Sequence, residues 1–149
     1  MKSLYEKDTL SDVLQRIENL TPSSQRQWGK MDVAQMLAHC SSTLTMAKGE
    51  RIAPRVFIGR LIGSFLKSVY SNEKPFGKDS PTSKESVIVD KRDFEKEKTG
   101  LIAHIRQFSE GGAAKCTPYP HPFFGKLTSE EWGIGMYKHL DHHFRQFGV

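Results

Sequence analysis

The sequence has little cysteine and no long apolar run, and both absences narrow the classes of protein to which it can belong. Two cysteines among 149 residues are too few for a disulfide framework, so we expect free thiols and a reducing compartment. No stretch approaches the roughly 18 uncharged apolar residues that a membrane span needs, and the first residues lack the apolar core of a signal peptide. We therefore expect a cytoplasmic protein without membrane association.

Basic residues outnumber acidic ones by 22 to 17, but they are not concentrated in one place. Between Asp90 and Lys98, for example, basic and acidic residues are interleaved. A nucleic-acid-binding protein instead gathers its basic residues on one face or in one groove. The net charge of +5 therefore indicates a solvated surface, and we expect no nucleic-acid partner.

Apolar residues recur at helical spacing in five segments, and only the segment 86–90 resembles a β-strand. One short strand cannot make a sheet, so we predict a single all-α domain over residues 1–149. Asp32 is a predicted N-cap, and Thr128 and Glu131 have the spacing of a capping box. A surface connection is predicted at about 71–90. The predicted helices cover about 9–20, 32–47, 54–70, 93–108 and 128 to nearly the last residue.

The last predicted helix carries two histidines four residues apart, His139 and His143. This spacing places both imidazoles on one helix face, as in helices that present two histidines to one metal ion. A polar face near the helix C-terminus, where cationic histidine complements the dipole, is the alternative. His39 lies at the edge of the apolar side of the second predicted helix. It either points into the bundle, with Gln35 and Thr43 as polar neighbours, or bonds to a backbone carbonyl.

Three segments resemble motifs of the DinB-like (DinB/YfiT) superfamily. Residues 28–39 resemble its second-helix signature, in which a turn containing a tryptophan precedes the helix with the first ligand histidine. His139-Leu-Asp-His-His143, followed by Gln146, resembles its closing motif. Residues 121–132 running into 137–148 are similar to one branch of unknown function within the superfamily. The resemblance covers essentially the whole chain.

The resemblance implies a four-helix bundle of DinB/YfiT type with up-down-down-up topology. Its long crossover between bundle helices 2 and 3 would carry an extra helix. It also implies one divalent metal ion held by His39, His139 and His143. Zinc is the expected ion for such a site, and nickel, iron and manganese are alternatives. The superfamily usually has Arg-Gly at the position of Phe144-Arg145, so a substrate contact through that arginine is not carried over.

By the same resemblance we expect a thiol-dependent transferase that acts on a small molecule, with a low-molecular-weight thiol as co-substrate. A metal-dependent hydrolase and a non-catalytic metal-binding or stress-related interaction protein are the alternatives. The hydrolase is disfavoured because no Glu or Asp shares the helix face of the two paired histidines. A homodimer is expected, since such bundles commonly form one. The candidates for a role in catalysis are Gln146, His142 and His121.

Two other segments have both a structural and a functional interpretation. The proline-rich segment before the last helix places His121 next to Phe123 and Phe124. It is either a lid over the metal or a rigid strap that closes the core, and we favour the strap. The third predicted helix has an apolar face and two glycines, Gly59 and Gly63, four residues apart. This pattern favours packing within the protein or across a dimer over contact with a membrane surface.

Overall fold

The computed structural model describes residues 1–78 and 86–149, and its regular structure is helical. Within those ranges only an isolated bridge between His121 and Gly125 has β geometry. The prediction of an all-α chain is therefore confirmed for the residues that the structure describes. The helices are α1 (Lys7–Glu18), α2 (Val33–Ala47), α3 (Phe57–Ile62), α4 (Lys67–Ser71), α5 (Phe94–Gly111) and α6 (Ser129–Gln146), with a 3-10 turn at Ala113–Lys115.

The four long helices α1, α2, α5 and α6 enclose a common core. Each of α1 and α2 packs against both α5 and α6. Every long helix contributes side chains that are almost completely buried, such as Ile17, Leu37, Leu101 and Leu140. Burying one such side chain stabilises the fold by about 1.5–3 kcal/mol. The shared core holds α2 and α6, which carry the candidate ligands, side by side.

Capping boxes define where α2 and α6 begin. At α2, Asp32 Oδ1 accepts a hydrogen bond from the backbone N–H of Gln35 at 2.8 Å, and the Gln35 side chain accepts one from the Asp32 N–H at 2.9 Å. At α6, Thr128 and Glu131 make the same reciprocal pair. Each cap contributes about 1 kcal/mol. Both predicted N-caps are confirmed.

The prediction of one continuous helix over about 54–70 is wrong. The segment forms two short helices, α3 and α4, with a turn at Gly63 to Leu66 between them. The backbone of Phe123 passes so close to Gly59 and Gly63 that a Cβ at either position would overlap it. The two glycines therefore serve packing within the protein.

Residues 86–90, which resemble a strand in sequence, form no strand in the structure. They lie beside α2, where the Gln35 side chain donates a hydrogen bond to the Asp90 carbonyl at 3.2 Å. Part of the predicted surface connection, residues 79–85, lies outside the described residues. None of the helices in the described ranges has the length and apolar character needed to cross a membrane.

Gly135 on α6 tests how tightly the bundle is packed. A Cβ at this position would overlap the ring of Tyr70, which is 4% exposed and cannot move aside without opening the core. We expect Gly135→Ala to lower the free energy of unfolding by about 1–3 kcal/mol. Urea unfolding monitored by circular dichroism measures the change.

Gly100→Ala on α5 is the matched control for that substitution. Open space surrounds Gly100, so the added methyl meets no atom. The loss of glycine from a helix interior should raise the free energy of unfolding by about 0.5–1 kcal/mol. A Gly135→Ala variant as stable as the wild type, or more stable, would contradict the packing seen at Gly135.

Candidate metal centre

Three histidines from two helices meet beside the core. His39 comes from α2, and His139 and His143 come from α6. Each offers one ring nitrogen, and the three nitrogens lie within 4.8 Å of one another. The Nε2 atoms of His39 and His139 are 3.0 Å apart. Two nitrogen ligands of a tetrahedral zinc ion are about 3.3 Å apart, given Zn–N bonds of about 2.0–2.1 Å. The spacing of this pair therefore fits a shared ion.

A backbone carbonyl fixes the ring of His39. Its Nδ1 lies 2.7 Å from the carbonyl oxygen of Ser86. A carbonyl oxygen can only accept, so Nδ1 carries the proton and donates it. The Nε2 atom of the neutral ring then has a free lone pair, which is directed at His139. Such a hydrogen bond on the far side of the ring is the usual support of a metal-binding histidine.

The ring of His143 is fixed through Gln146. The Nδ1 atom of His143 lies 2.9 Å from Oε1 of Gln146, and Nε2 of Gln146 donates to the carbonyl of Trp28 at 2.7 Å. Because the Trp28 carbonyl can only accept, the amide orientation is determined and its oxygen faces His143. Nδ1 of His143 is therefore the donor, and its Nε2 is free for a metal. Gly29 makes room for this arrangement, since a Cβ there would overlap the Gln146 amide.

Burial keeps the three imidazoles neutral. His39 and His143 are 3% and 5% exposed, and His139 is partly exposed. Burial lowers the pKa of His39 and lowers that of His143 to about 3, and the nearby ring of His39 adds to the effect on His143. Burial and the neighbouring histidines hold the pKa of His139 well below its ordinary value. Neutral rings have the lone pairs that a metal ion needs.

A positively charged side chain, that of Arg51, lies near one of the three rings. Among the described residues, the group that could hold a metal ion contains no carboxylate. Arg51 lies near His39. Its charge lowers the pKa of that ring, but by less than burial and the His142 ring do. The guanidinium Nη1 donates to the hydroxyl of Ser42, one turn beyond His39 on α2, at 2.6 Å. Arg51 forms no salt bridge within the described residues.

His142 and His121, the other two candidates for a role in catalysis, lie outside the group of three candidate metal ligands. His142 is buried, with its ring 5.9 Å from that of Trp28 and 6.2 Å from that of Phe76. His121 shapes the turn before α6, because its Nδ1 accepts the backbone N–H groups of Phe123 and Phe124 at 3.1 and 3.2 Å. This geometry supports the interpretation of the proline-rich segment as a strap.

The family model for DUF1569, described as a protein of unknown function, matches residues 2–148. The chain belongs to the DUF1569 family. The match spans both histidine-bearing helices of this DUF1569 protein. Searches among curated proteins and among solved structures found no match.

Sequence patterns missed the groups that hold the two buried rings of this DUF1569 protein. The ring of His39 is held by the backbone carbonyl of Ser86, and Gln146, which holds His143, is itself held by the backbone carbonyl of Trp28. Any residue type supplies a backbone carbonyl, so no sequence pattern marks these positions. Gln35 and Thr43, the two expected polar neighbours of His39, form hydrogen bonds with other groups. Gln35 caps α2, and the hydroxyl of Thr43 donates to the backbone carbonyl of His39 at 3.1 Å. Neither forms a hydrogen bond with the ring of His39.

The strap before α6 should weaken in acid because of His121. Burial lowers the pKa of His121 to about 4, and the charge of Arg55 adds to the effect. The value in the unfolded chain is about 6.5. The contribution of His121 to stability is therefore complete above about pH 6.5 and is lost as the pH falls toward about 4.

Replacement of His121 by Asn isolates this contribution, since the Asn oxygen can accept the same backbone N–H groups without titrating. Between pH 6.5 and 4.5 we expect His121→Asn to lose about 1–2 kcal/mol less stability than the wild type. Urea unfolding of both proteins with a chelator present excludes effects of bound metal. Identical pH dependence would contradict the role assigned to the ring.

Proposed function

We propose that this DUF1569 protein is an enzyme that depends on one divalent metal ion held by His39, His139 and His143. The supporting observation is the orientation of the rings. Two of them are held at Nδ1 by fixed acceptors, so that their Nε2 lone pairs are free beside His139. Neutral imidazoles suit zinc first, and nickel, iron or manganese also accept them. Three protein ligands are the number found in catalytic zinc sites, which keep one position open.

The arrangement of the helices supports a bundle of DinB/YfiT type. In such a bundle, α1, α2, α5 and α6 would run up, down, down and up. The chain between α2 and α5 would be the long crossover, with α3 and α4 as its additional helical part. The packing of α1 and α2 against both α5 and α6 agrees with this architecture. Sites in such bundles are commonly built from side chains on facing helices.

The reaction that we propose is transfer of a low-molecular-weight thiol to an electrophilic small molecule. A bound divalent ion lowers the pKa of a thiol in its open position and so supplies a thiolate at neutral pH. The net reaction forms one carbon–sulfur bond and releases the thiol proton and the leaving group of the electrophile. Within the described residues no carboxylate belongs to the candidate site, which favours this reaction over hydrolysis assisted by a general base.

The residues around the ligands have roles of their own in this proposal. Gln146 keeps the ring of His143 in one orientation and one tautomer. Arg51 uses one N–H group on Ser42 and has others left for a carboxylate of the thiol or of its acceptor. The partly exposed side of His139 is where the substrates would approach.

Metal content is the first test of the proposal. The wild type, purified without a histidine tag, should contain close to one equivalent of a divalent metal by elemental mass spectrometry. His139→Ala removes the most exposed ligand and should lose most of that metal. His104→Ala is the matched control, because His104 lies on α5 and contacts Lys48 instead of the candidate ligands. A wild type that binds no metal after incubation with zinc or nickel would refute the proposal.

A cobalt-substituted protein tests the choice of a thiol as co-substrate. Cysteine or glutathione should produce a sulfur-to-cobalt charge-transfer band in the near ultraviolet. Arg51→Gln should weaken the binding of these carboxylate-bearing thiols about tenfold or more, because it removes a charged hydrogen-bond donor. Binding of 2-mercaptoethanol, which has no carboxylate, should not change. A protein that loads cobalt but gives no band with any thiol would exclude thiol transfer and leave hydrolysis to be assayed.

A further inference from the structure

Helices α3 and α4 and the turn between them expose an apolar surface that the proposed function does not use. Seven of the eleven large apolar side chains that are exposed in the described residues lie between residues 57 and 69. Phe57 and Phe65 are the most exposed of the seven, at 76% and 82%. Apolar side chains exposed as a group mark interaction sites on proteins. We call this surface the α3–α4 face, formed by Phe57, Ile58, Leu61, Ile62, Phe65, Leu66 and Val69.

The inner side of the same segment is packed against the rest of the protein. Gly59 and Gly63 lie against the backbone of Phe123, and a Cβ at either glycine would overlap it. At about 100° per residue, Phe57 and Leu61 lie on the side of α3 opposite to the two glycines. The glycine spacing therefore accounts for the inner side alone, and the α3–α4 face points away from the core.

The segment that carries the α3–α4 face is basic. Residues 51–72 include four basic residues and no acidic one. The charge of Lys67 is offset by Glu131 on α6, whose carboxylate lies 2.8 Å from the Lys67 Nζ. The other three form no ion pair with a carboxylate within residues 1–78 and 86–149: Arg51, Arg55 and Arg60. The segment therefore keeps three uncompensated positive charges.

The hydrogen bonds of these arginines do not offset their charge. Arg51 donates to the hydroxyl of Ser42, and Arg55 donates to two backbone carbonyls, all of which are neutral acceptors. Arg60 is exposed, and at about 100° per residue it lies beside Phe57 at the edge of the α3–α4 face. An arginine at such an edge can lay its stem along apolar surface while its guanidinium stays with polar groups.

These charges favour an anionic surface over a second copy of the chain. A two-fold contact brings the same patch of both copies together. The three arginines of one copy would then approach those of the other, and residues 51–72 have no carboxylate to place between them. Like charges that face each other across an interface disfavour association. An anionic surface instead attracts all three arginines.

The apolar side chains favour lipid over nucleic acid as the anionic surface. Five of the seven are aliphatic, so they have no aromatic ring to stack on a base and no group to bond with a base edge. Phenylalanine and leucine beside basic residues are typical of segments that lie at the surface of a bilayer. An anionic bilayer offers negative phosphates directly above an apolar interior, which complements both parts of this surface.

We propose that the α3–α4 face binds the surface of an anionic lipid bilayer. Its seven apolar side chains enter the boundary between headgroups and acyl chains, about 5–10 Å deep, and the arginines stay near the lipid phosphates. The sequence-based expectation of no membrane association rested on the lack of an apolar span, and binding at a bilayer surface requires none. This inference is independent of the proposed function, because neither Arg60 nor any of the seven side chains belongs to the metal centre.

Co-sedimentation with sucrose-loaded vesicles tests the proposal. The wild type should bind vesicles made of equal parts of phosphatidylglycerol and phosphatidylcholine at about 0.1 M salt. Each free basic residue near an anionic surface strengthens binding about fivefold, so the three arginines together contribute about a hundredfold. Vesicles of phosphatidylcholine alone should therefore bind about a hundredfold more weakly, and added salt should weaken binding to the anionic vesicles.

Two substitutions separate the apolar contribution from the charge. Phe65→Ser should weaken binding to the anionic vesicles about tenfold or more, because it removes a large inserted side chain. Val89→Ser is its matched control, since Val89 is 83% exposed but lies outside the α3–α4 face. Arg60→Gln should weaken binding about fivefold. Its matched control is Arg106→Gln, which changes an exposed arginine on α5. Both controls should bind as the wild type does.

Several outcomes would overturn the proposal. One is a wild type that binds neither kind of vesicle, and another is equal binding to both kinds. A third is binding that persists unchanged in the double variant Phe57→Ser/Phe65→Ser, which would place the contact elsewhere. A fourth is a lipid-free dimer in sedimentation velocity that Phe65→Ser dissociates, which would identify a second copy as the occupant of the face. Circular dichroism of each variant, whose changed side chains are exposed, verifies that the protein is folded.

Discussion

Burial of helix α6 is the constraint from which most of the site follows. Eleven of its residues are buried, and it packs against α1, α2 and α4. A polar side chain on such a helix cannot rely on water, so it needs a partner in the protein. Lys138 donates to the carbonyl of Val69 and to the Asn72 side chain, and Gln146 bridges His143 and Trp28. The same burial leaves the histidines neutral and therefore able to bind a metal.

The features that could be predicted from the sequence are those that depend on neighbours along the chain. A capping box joins residues three apart, which is why the starts of α2 and α6 at Asp32 and Thr128 agree with the prediction. The pairing of His139 and His143 is equally local, because residues four apart share a helix face. The approach of His39 to this pair joins positions 100 residues apart. The residue pattern leaves this approach open, and only the family resemblance implies it.

The features that could not be predicted depend on backbone atoms from distant parts of the chain. The carbonyl of Ser86 supports His39, and the carbonyl of Trp28 supports Gln146, but neither is visible in a residue type. The break between α3 and α4 is also absent from the sequence pattern, because apolar periodicity continues through Gly63. The close packing of that glycine against the backbone of Phe123 joins positions sixty residues apart.

The link between Trp28 and Gln146 also has a consequence for how the protein is made. The two residues are 118 positions apart, and His39 precedes His139 by 100. During synthesis the first histidine therefore leaves the ribosome long before the pair on α6 exists. A single imidazole holds a metal ion weakly, and binding becomes strong only when folding brings the ligands together. The nascent chain thus passes through most of its synthesis before the three histidines are assembled, and in the proposed metal enzyme the ion would be acquired only as the fold is completed.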